Sequence, residues 1–166
     1  PTPAVTEFLL GSDGAANSRR GNGTLGTSRA GSAPTDEYVF DPADPVPTLG
    51  GATMLPSFTS SAGPRDQSTV EDRDDVLVFT TAELDEPLTV AGPVTARLWI
   101  ESTAASIDVV AKLVDVYPDG RAMLLCDGIV RTGESGQVTL DEHGPTCVDV
   151  DLIATANVFG IGHRVR

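Results

Sequence analysis

The stretch Ile107-Asp-Val-Val-Ala-Lys-Leu-Val-Asp-Val-Tyr-Pro-Asp-Gly-Arg-Ala-Met-Leu-Leu-Cys-Asp-Gly-Ile-Val-Arg131 decides the fold class. Two long runs rich in Val, Leu and Ile flank residues 117–120. In this tetrapeptide Pro118 presets φ, Asp119 can bond its own backbone, and Gly120 tolerates φ > 0. These residues favour a tight turn, so the stretch predicts a β-hairpin of two long strands.

The first strand of this hairpin is apolar on both faces. The alternation places one set of side chains on each face: Val109, Ala111 and Leu113 on one, and Val110, Val114 and Val116 on the other. A strand without a polar face is covered on both sides, so we expect the hairpin to be central to a layered β structure. Three charges, Asp108, Lys112 and Asp115, interrupt it. If buried they need partners, most simply one another or Arg97.

Short strands with turn signals between them are predicted around the hairpin. They cover residues 7–10, 37–40, 76–80, 88–91, 93–101, 136–140 and 146–153, and a last one begins at residue 163. In residues 93–101 the alternation is clean, with Val94, Ala96, Leu98 and Ile100 on one face. No segment has a convincing helical period. The predicted fold class is therefore all-β, a jelly-roll β-sandwich with an irregular N-terminal arm.

We predict two regions in the chain. Residues 1–48 form an N-terminal arm with linker strands, and residues 49–166 form the jelly-roll domain. Residues 11–32 are dense in Gly, Ser, Asn and Arg, which suits a mobile arm. The chain begins at Pro1 without a Met and stops at Arg166 inside a predicted strand. We therefore expect a piece of a longer polypeptide, with the jelly roll truncated at its C-terminus.

The composition argues against several classes of partner and ligand. A net charge of -13 with only 11 Lys and Arg residues disfavours nucleic acid. No run is long and apolar enough for a membrane helix, so no membrane partner is predicted. Cys126 and Cys147 are interpreted as buried reduced thiols, with one disulfide as the alternative. Two Cys and two separated His form no zinc pattern, and neither a metal nor another cofactor is predicted.

No catalytic residue is predicted in this chain. A Gly-x-Ser-x-Gly nucleophile elbow is absent, and His143 and His163 are interpreted as a solvated turn residue and a strand-edge residue. Carboxylates cluster at Asp141, Glu142, Asp149 and Asp151, and a solvated face is the expected role of Asp149 and Asp151. A second cluster at 71–75 lacks the Asp-x-Asp-x-Asp-Gly pattern of a calcium loop. Trp99 is the large aromatic on a polar face, so we expect either a loop or a neighbouring domain to cover it.

The sequence resembles one known module along nearly its whole length. The later motifs that carry the resemblance are Gly92-Pro-Val-Thr-Ala-Arg-Leu-Trp99, Asp108-Val-Val-Ala-Lys-Leu-Val-Asp-Val-Tyr-Pro-Asp-Gly-Arg-Ala122, Asp127-Gly-Ile-Val-Arg131 and Asn157-Val-Phe-x-x-Gly-His-Arg-Val-Arg166. The earlier ones are Asn17-Ser-x-x-Gly-x-Gly23, Tyr38-Val-Phe-Asp-Pro-Ala-Asp-Pro-Val-Pro47, Gly50-Gly51, Gly63-Pro-x-Asp-Gln67 and Asp72-Arg-Asp-Asp-Val-Leu77. They are similar to the C-terminal jelly-roll domain, galactose-binding-domain-like, of the CocE/NonD serine hydrolases, which include X-Pro dipeptidyl peptidases.

The resemblance implies a partner and a role. An α/β-hydrolase domain with the Ser-His-Asp triad is expected N-terminal to Pro1, and the β domain would stabilise it and line its substrate cleft. The segment after the double glycine would lend Met54 and Leu55 to the cleft, while Trp99 and Phe58 would pack between the domains. The parent's substrate would be a small ester, amide or X-Pro peptide.

Two further expectations accompany this interpretation. The family's usual closing strands after His-Arg-Val-Arg are absent, and an unpaired edge favours association. The piece alone is therefore expected to be marginally stable or oligomeric, with a homodimer as one such state. The alternative function is a free-standing jelly-roll module that binds carbohydrate, although a chain with 5% aromatic residues lacks an aromatic sugar platform.

Overall fold

A computed structural model describes residues 4–28, 34–52, 62–133, 138–141 and 143–166. This part of the chain contains seven strands and no helix: β1 (Leu9–Gly11), β2 (Thr24–Gly26), β3 (Leu88–Ile100), β4 (Asp108–Val116), β5 (Ala122–Arg131), β6 (Thr146–Phe159) and β7 (Arg164–Val165). Accordingly, no helix in the described ranges is long and apolar enough to cross a membrane.

The predicted hairpin is confirmed as β4 and β5. The Tyr117 N–H donates to the Arg121 carbonyl at 2.8 Å, and the Gly120 N–H donates to the Tyr117 carbonyl at 2.9 Å. Gly120 has a φ of 90°, in the left-handed region that favours glycine. The turn residues therefore act as the sequence predicts.

Two antiparallel sheets pack against each other. One is the ribbon β3–β6, and the other has the strand order β5–β4–β7. The core between them includes Val130, Val148, Val150 and Leu152, and the inward side chains of β3 and β4 pack on it. The molecule is thus an all-β sandwich, and the predicted fold class is confirmed.

Coverage of the hairpin on both faces is confirmed only near its turn. There Val114, Val116, Ala122 and Leu124 form a second buried cluster, and the backbone of residues 65–67 bonds to β5. Toward the other end, Val110 and Ile129 are 52% and 63% exposed. The described residues therefore leave one face uncovered at that end of the hairpin, and its coverage by a further domain stays a prediction.

The two strands predicted at 88–91 and 93–101 are one strand. β3 continues through Gly92 and Pro93, and the register shifts between Pro93 and Thr95. Proline has no N–H to donate, and a bulge is one of the places in a sheet where it is tolerated. The predicted inner face is correct, because Val94, Ala96, Leu98 and Ile100 all pack on the core.

Three other predicted strands do not form ladders in the described residues. Residues 37–40 have no paired strand, and Val39 is 88% exposed. Residues 76–80 make only isolated bridges, through Leu77 to Asn17 and Thr80 to Thr24. In the strand predicted at 136–140, Val138 makes an isolated bridge to Thr132, and residues 136 and 137 lie outside the described ranges.

Residues 11–28 are held against the body of the domain, contrary to the mobile arm that their composition suggests. Ala16 is fully buried. Its carbonyl accepts a hydrogen bond from Val78, and the Ser18 N–H donates to Val76. Arg19 is paired with Asp72 at 2.8 Å. The boundary between residues 48 and 49 stays a prediction.

Candidate functional site

Two short stretches of chain are bridged by backbone hydrogen bonds, and in the sequence they flank the segment that was predicted to reach a substrate cleft. Gly51 and Gly63 exchange two backbone hydrogen bonds of 3.0 Å each. We call residues 49–51 and 63–65 the neck. In the sequence, its two sides flank Met54, Leu55 and Phe58, which are outside the described residues. The assignment of Met54 and Leu55 to the cleft, and of Phe58 to interdomain packing, therefore stays a prediction.

The side chain of Gln67 connects the two sides of the neck. It is 1% exposed, and its Nε2 donates to the carbonyls of Leu49 at 2.9 Å and Arg65 at 3.1 Å. The Arg65 carbonyl also accepts from the Leu124 N–H of β5 at 3.0 Å. One buried amide therefore ties both sides of the neck together, next to the central hairpin.

A charged pair from the hairpin lies beside the neck. Lys112 of β4 is directly opposite Asp127 of β5, and its Nζ donates to Gln67 Oε1 at 2.8 Å. A Cβ on Gly51 would lie 3.1 Å from Asp127 Oδ1, and the φ of Gly51 is 79°. The left-handed backbone favours glycine at that position, and a Cβ there would press against the Asp127 carboxylate.

Burial of Lys112 lowers the pKa of its ammonium group. The charges of Asp127 and Glu71 act in the opposite direction and do not offset the desolvation. The charged side chain therefore occupies a place where an apolar one would cost less free energy of burial.

A second polar cluster joins β7 to the hairpin. Asp115 is 2% exposed, with His163 Nδ1 2.7 Å from its Oδ1 and Asn157 Nδ2 3.4 Å from its Oδ2. The His163 ring also lies 4.4 Å from the ring of Tyr117. His163 directly precedes the edge strand β7, and its side chain is largely buried and paired.

The partners suggested for the charges inside the hairpin were wrong. Asp108 pairs with Arg131 at 2.7 Å, Lys112 binds Gln67, and Arg97 pairs with Asp149 at 2.7 Å. Sequence reasoning singled out both Asp115 and His163 but did not connect them. The available signal was a carboxylate inside an apolar strand, which needs a partner if it is buried, and an imidazole at the start of another predicted strand. The two residues are 48 apart in the sequence, so spacing did not connect them.

The acidic run at 71–75 is used largely in internal ion pairs. The Arg166 guanidinium binds Glu71, Arg19 binds Asp72 and Arg73 binds Asp75. Burial raises the pKa of the Glu71 carboxyl, and Arg166 only partly opposes the shift. In the described residues no group of three or more His, Cys, Asp or Glu side chains is arranged to hold a metal ion.

The outer face of the β3–β6 ribbon carries the remaining candidate. Trp99 is 65% exposed and lies opposite Cys147, with the Arg97–Asp149 pair two residues along both strands. These neighbours offer no second ring, so the face is not an aromatic platform for a sugar. Cys126 and Cys147 are both free. The expected burial is only partial for Cys126 and is wrong for Cys147, which is exposed.

The fold and these clusters define a class of protein: an all-β sandwich domain whose polar side chains hold its own segments together. Residues 1–166 match the family described as the X-Pro dipeptidyl-peptidase C-terminal non-catalytic domain. The chain belongs to this family, as the sequence motifs predict.

Larger hydrolases contain similar domains. The chain is 49% identical over 169 residues to the cocaine esterase of Rhodococcus sp. (strain MB1 Bresler), covering 99% of this chain and 29% of the relative. It resembles the crystal structure of an aminopeptidase from a marine sediment Thaumarchaeota archaeon, with 28% identity and a TM-score of 0.71, over 96% of this chain and 28% of the other. An α-amino acid ester hydrolase gives 27% identity and a TM-score of 0.68, over 96% and 27%. The chain thus spans less than a third of each.

Proposed function

We propose that this chain is the accessory β domain of a serine hydrolase of the CocE/NonD type, where it stabilises the α/β-hydrolase domain and lines the substrate cleft. The observation that carries the proposal is the full-length match to a C-terminal non-catalytic domain that takes up 29% of an esterase. The parent's reaction would be acyl transfer from a small ester, amide or X-Pro peptide to a serine and then to water.

The neck supports the cleft-lining part of the proposal. Its backbone bridge, the Gln67 amide and the Asp127 carboxylate together fix residues 49–51 and 63–65 relative to each other and to the hairpin. A segment that contacts substrate benefits from a rigid base, because a binding side chain must be held in place before substrate arrives. The side chains offered for contact are Met54 and Leu55.

The first experiment separates accessory from catalytic roles. The 166-residue chain and the full-length protein would be assayed side by side with p-nitrophenyl esters. We expect turnover only from the full-length protein, with a Gly-x-Ser-x-Gly elbow encoded upstream. Turnover by the chain alone, abolished by a serine-directed inhibitor, would refute the accessory role.

The second experiment tests the cleft. In the full-length protein Met54→Ala or Leu55→Ala should raise KM several-fold, on the order of the loss of one apolar contact, with little change in kcat. Val39→Ala, which alters a side chain that is 88% exposed, serves as the matched control. Kinetics identical to wild type for both cleft variants would remove these residues from the substrate site.

A further inference from the structure

We propose that Lys112 is a positioning residue: its ammonium group orients the Gln67 amide, and this amide sets the course of the chain through both sides of the neck. The inference rests on the proposed function, because the cleft is what such positioning would serve. It adds a residue of the central hairpin to those that govern substrate binding.

The two ends of the Gln67 side chain bind different partners. Oε1 accepts from Lys112 Nζ at 2.8 Å, and Nε2 donates to the carbonyls of Leu49 and Arg65. If the amide turned over, its oxygen would face two carbonyl oxygens and its NH₂ group would face an ammonium group, which has no acceptor. Lys112 therefore permits only the orientation of Gln67 that holds the neck.

The residue type at position 112 also supports this role. Lys112 is the only lysine in the 166-residue chain, and it lies between Ala111 and Leu113, which pack on the core. Burial lowers the pKa of its ammonium group, so the charge is held there against a desolvation cost. A methionine would fill similar space without that cost. The gain from lysine is its hydrogen bond to Gln67, which an apolar side chain cannot make.

Lys112 is also linked to the neck through Asp127. Asp127, opposite Lys112 in the hairpin, has its carboxylate beside Gly51. Asp127 thus lies beside residues 49–51 directly. Lys112 is linked to both sides of the neck through Gln67. A change at Lys112 is expected to loosen the neck while the β3–β6 ribbon is unaffected.

The test uses the full-length protein with Lys112→Met, and Arg131→Met as the matched control. The control also replaces a cation by methionine in the hairpin, but its ion pair with Asp108 is exposed. Hydrogen exchange would be followed by mass spectrometry in peptides containing Gly51 and Gly63. We expect Lys112→Met to accelerate it by roughly tenfold, with β3 and β6 peptides unchanged and the control at the wild-type rate.

Kinetics with p-nitrophenyl esters provide the second readout. Lys112→Met should raise KM by roughly fivefold and leave kcat within about twofold, as expected for a change that acts only on substrate binding in the proposed cleft. Faster exchange at the neck with unchanged KM supports the positioning of the neck and overturns its link to the cleft, and thus that part of the proposed function. Wild-type exchange at the neck overturns the role of Lys112 whatever the kinetics.

A second variant keeps the proposal testable if Lys112→Met does not fold. Gln67→Glu preserves size and the acceptor for Lys112, but it replaces the amide donor that binds Leu49 and Arg65. It should accelerate exchange at Gly51 and Gly63 to the same extent. An unaltered neck in this variant would refute the bridge through Gln67.

Discussion

At the residue scale, the paired polar side chains of this domain fall into two kinds that differ in burial. The Asp115 side chain is 3% exposed and the His163 side chain 16%, whereas Asp108 and Arg131 are 38% and 62% exposed. Loss of one partner leaves a buried charge with its full desolvation cost, but an exposed charge simply returns to water. Pairs with the same 2.7 Å distance therefore differ in their effect on stability.

His163→Ala should accordingly destabilise the domain by about 3–5 kcal/mol, because it leaves Asp115 with Asn157 alone. Arg131→Ala should leave the free energy of unfolding almost unchanged. Urea denaturation of the two variants beside wild type measures both values. In the double variant Asp115→Asn with His163→Ala part of the loss should be recovered. Equal effects of His163→Ala and Arg131→Ala would contradict this distinction.

Lys112 gives a pH dependence of defined sign. Its pKa is lowered in the folded state, so between that pKa and the ordinary lysine value of 10.5 the unfolded chain binds more protons than the folded one. The free energy of unfolding contributed by Lys112 therefore rises with pH through this window. The melting temperature of wild type relative to Lys112→Met should increase from pH 7 toward pH 10.5. A difference that stays flat or falls would contradict the shift.

At the scale of the elements, side-chain alternation and turn chemistry were enough to predict the hairpin and the inner face of β3. They failed where pairing depends on distant parts of the chain. Residues 37–40 have strand-forming side chains but no partner strand among the described residues, and β3 continues through Pro93 because a bulge accommodates it. The Lys112–Gln67 contact joins residues 45 apart. Neither periodicity nor spacing contains such information.

Left-handed backbone conformations in the β4–β5 turn and in β6 predict substitution effects of opposite sign on the free energy of unfolding. Gly120 has a φ of 90° and Ile153 a φ of 67°. Gly120→Ala should destabilise the domain by about 1 kcal/mol or more, whereas Ile153→Gly should stabilise it by about 1 kcal/mol as the left-handed strain is relieved. Val158→Gly, an exposed β-branched position of β6 without a left-handed φ, should destabilise as a control. Thermal unfolding of the three variants beside wild type measures these effects. A loss of stability in Ile153→Gly equal to that in Val158→Gly would exclude strain at residue 153.

At the scale of the whole molecule, substitution of Trp99 on the outer face of the β3–β6 ribbon tests whether another domain packs on that face. Trp99 is 65% exposed in this chain; in the proposed hydrolase it would pack on the catalytic domain. Trp99→Ser should change the stability of the isolated chain by no more than about 0.5 kcal/mol. In the full-length protein it should lower the melting temperature by several degrees, because a large aromatic contact between domains would be lost.

The conservative variant Trp99→Phe should restore most of that loss in the full-length protein, since it keeps an aromatic ring in the contact. Differential scanning calorimetry of the two variants, each made in the isolated chain and in the full-length protein, separates the possibilities. The same small effect in both proteins would mean that Trp99 faces water in the hydrolase as well. The contact between the domains would then have to lie on another exposed apolar region, such as the open end of the hairpin at Val110 and Ile129.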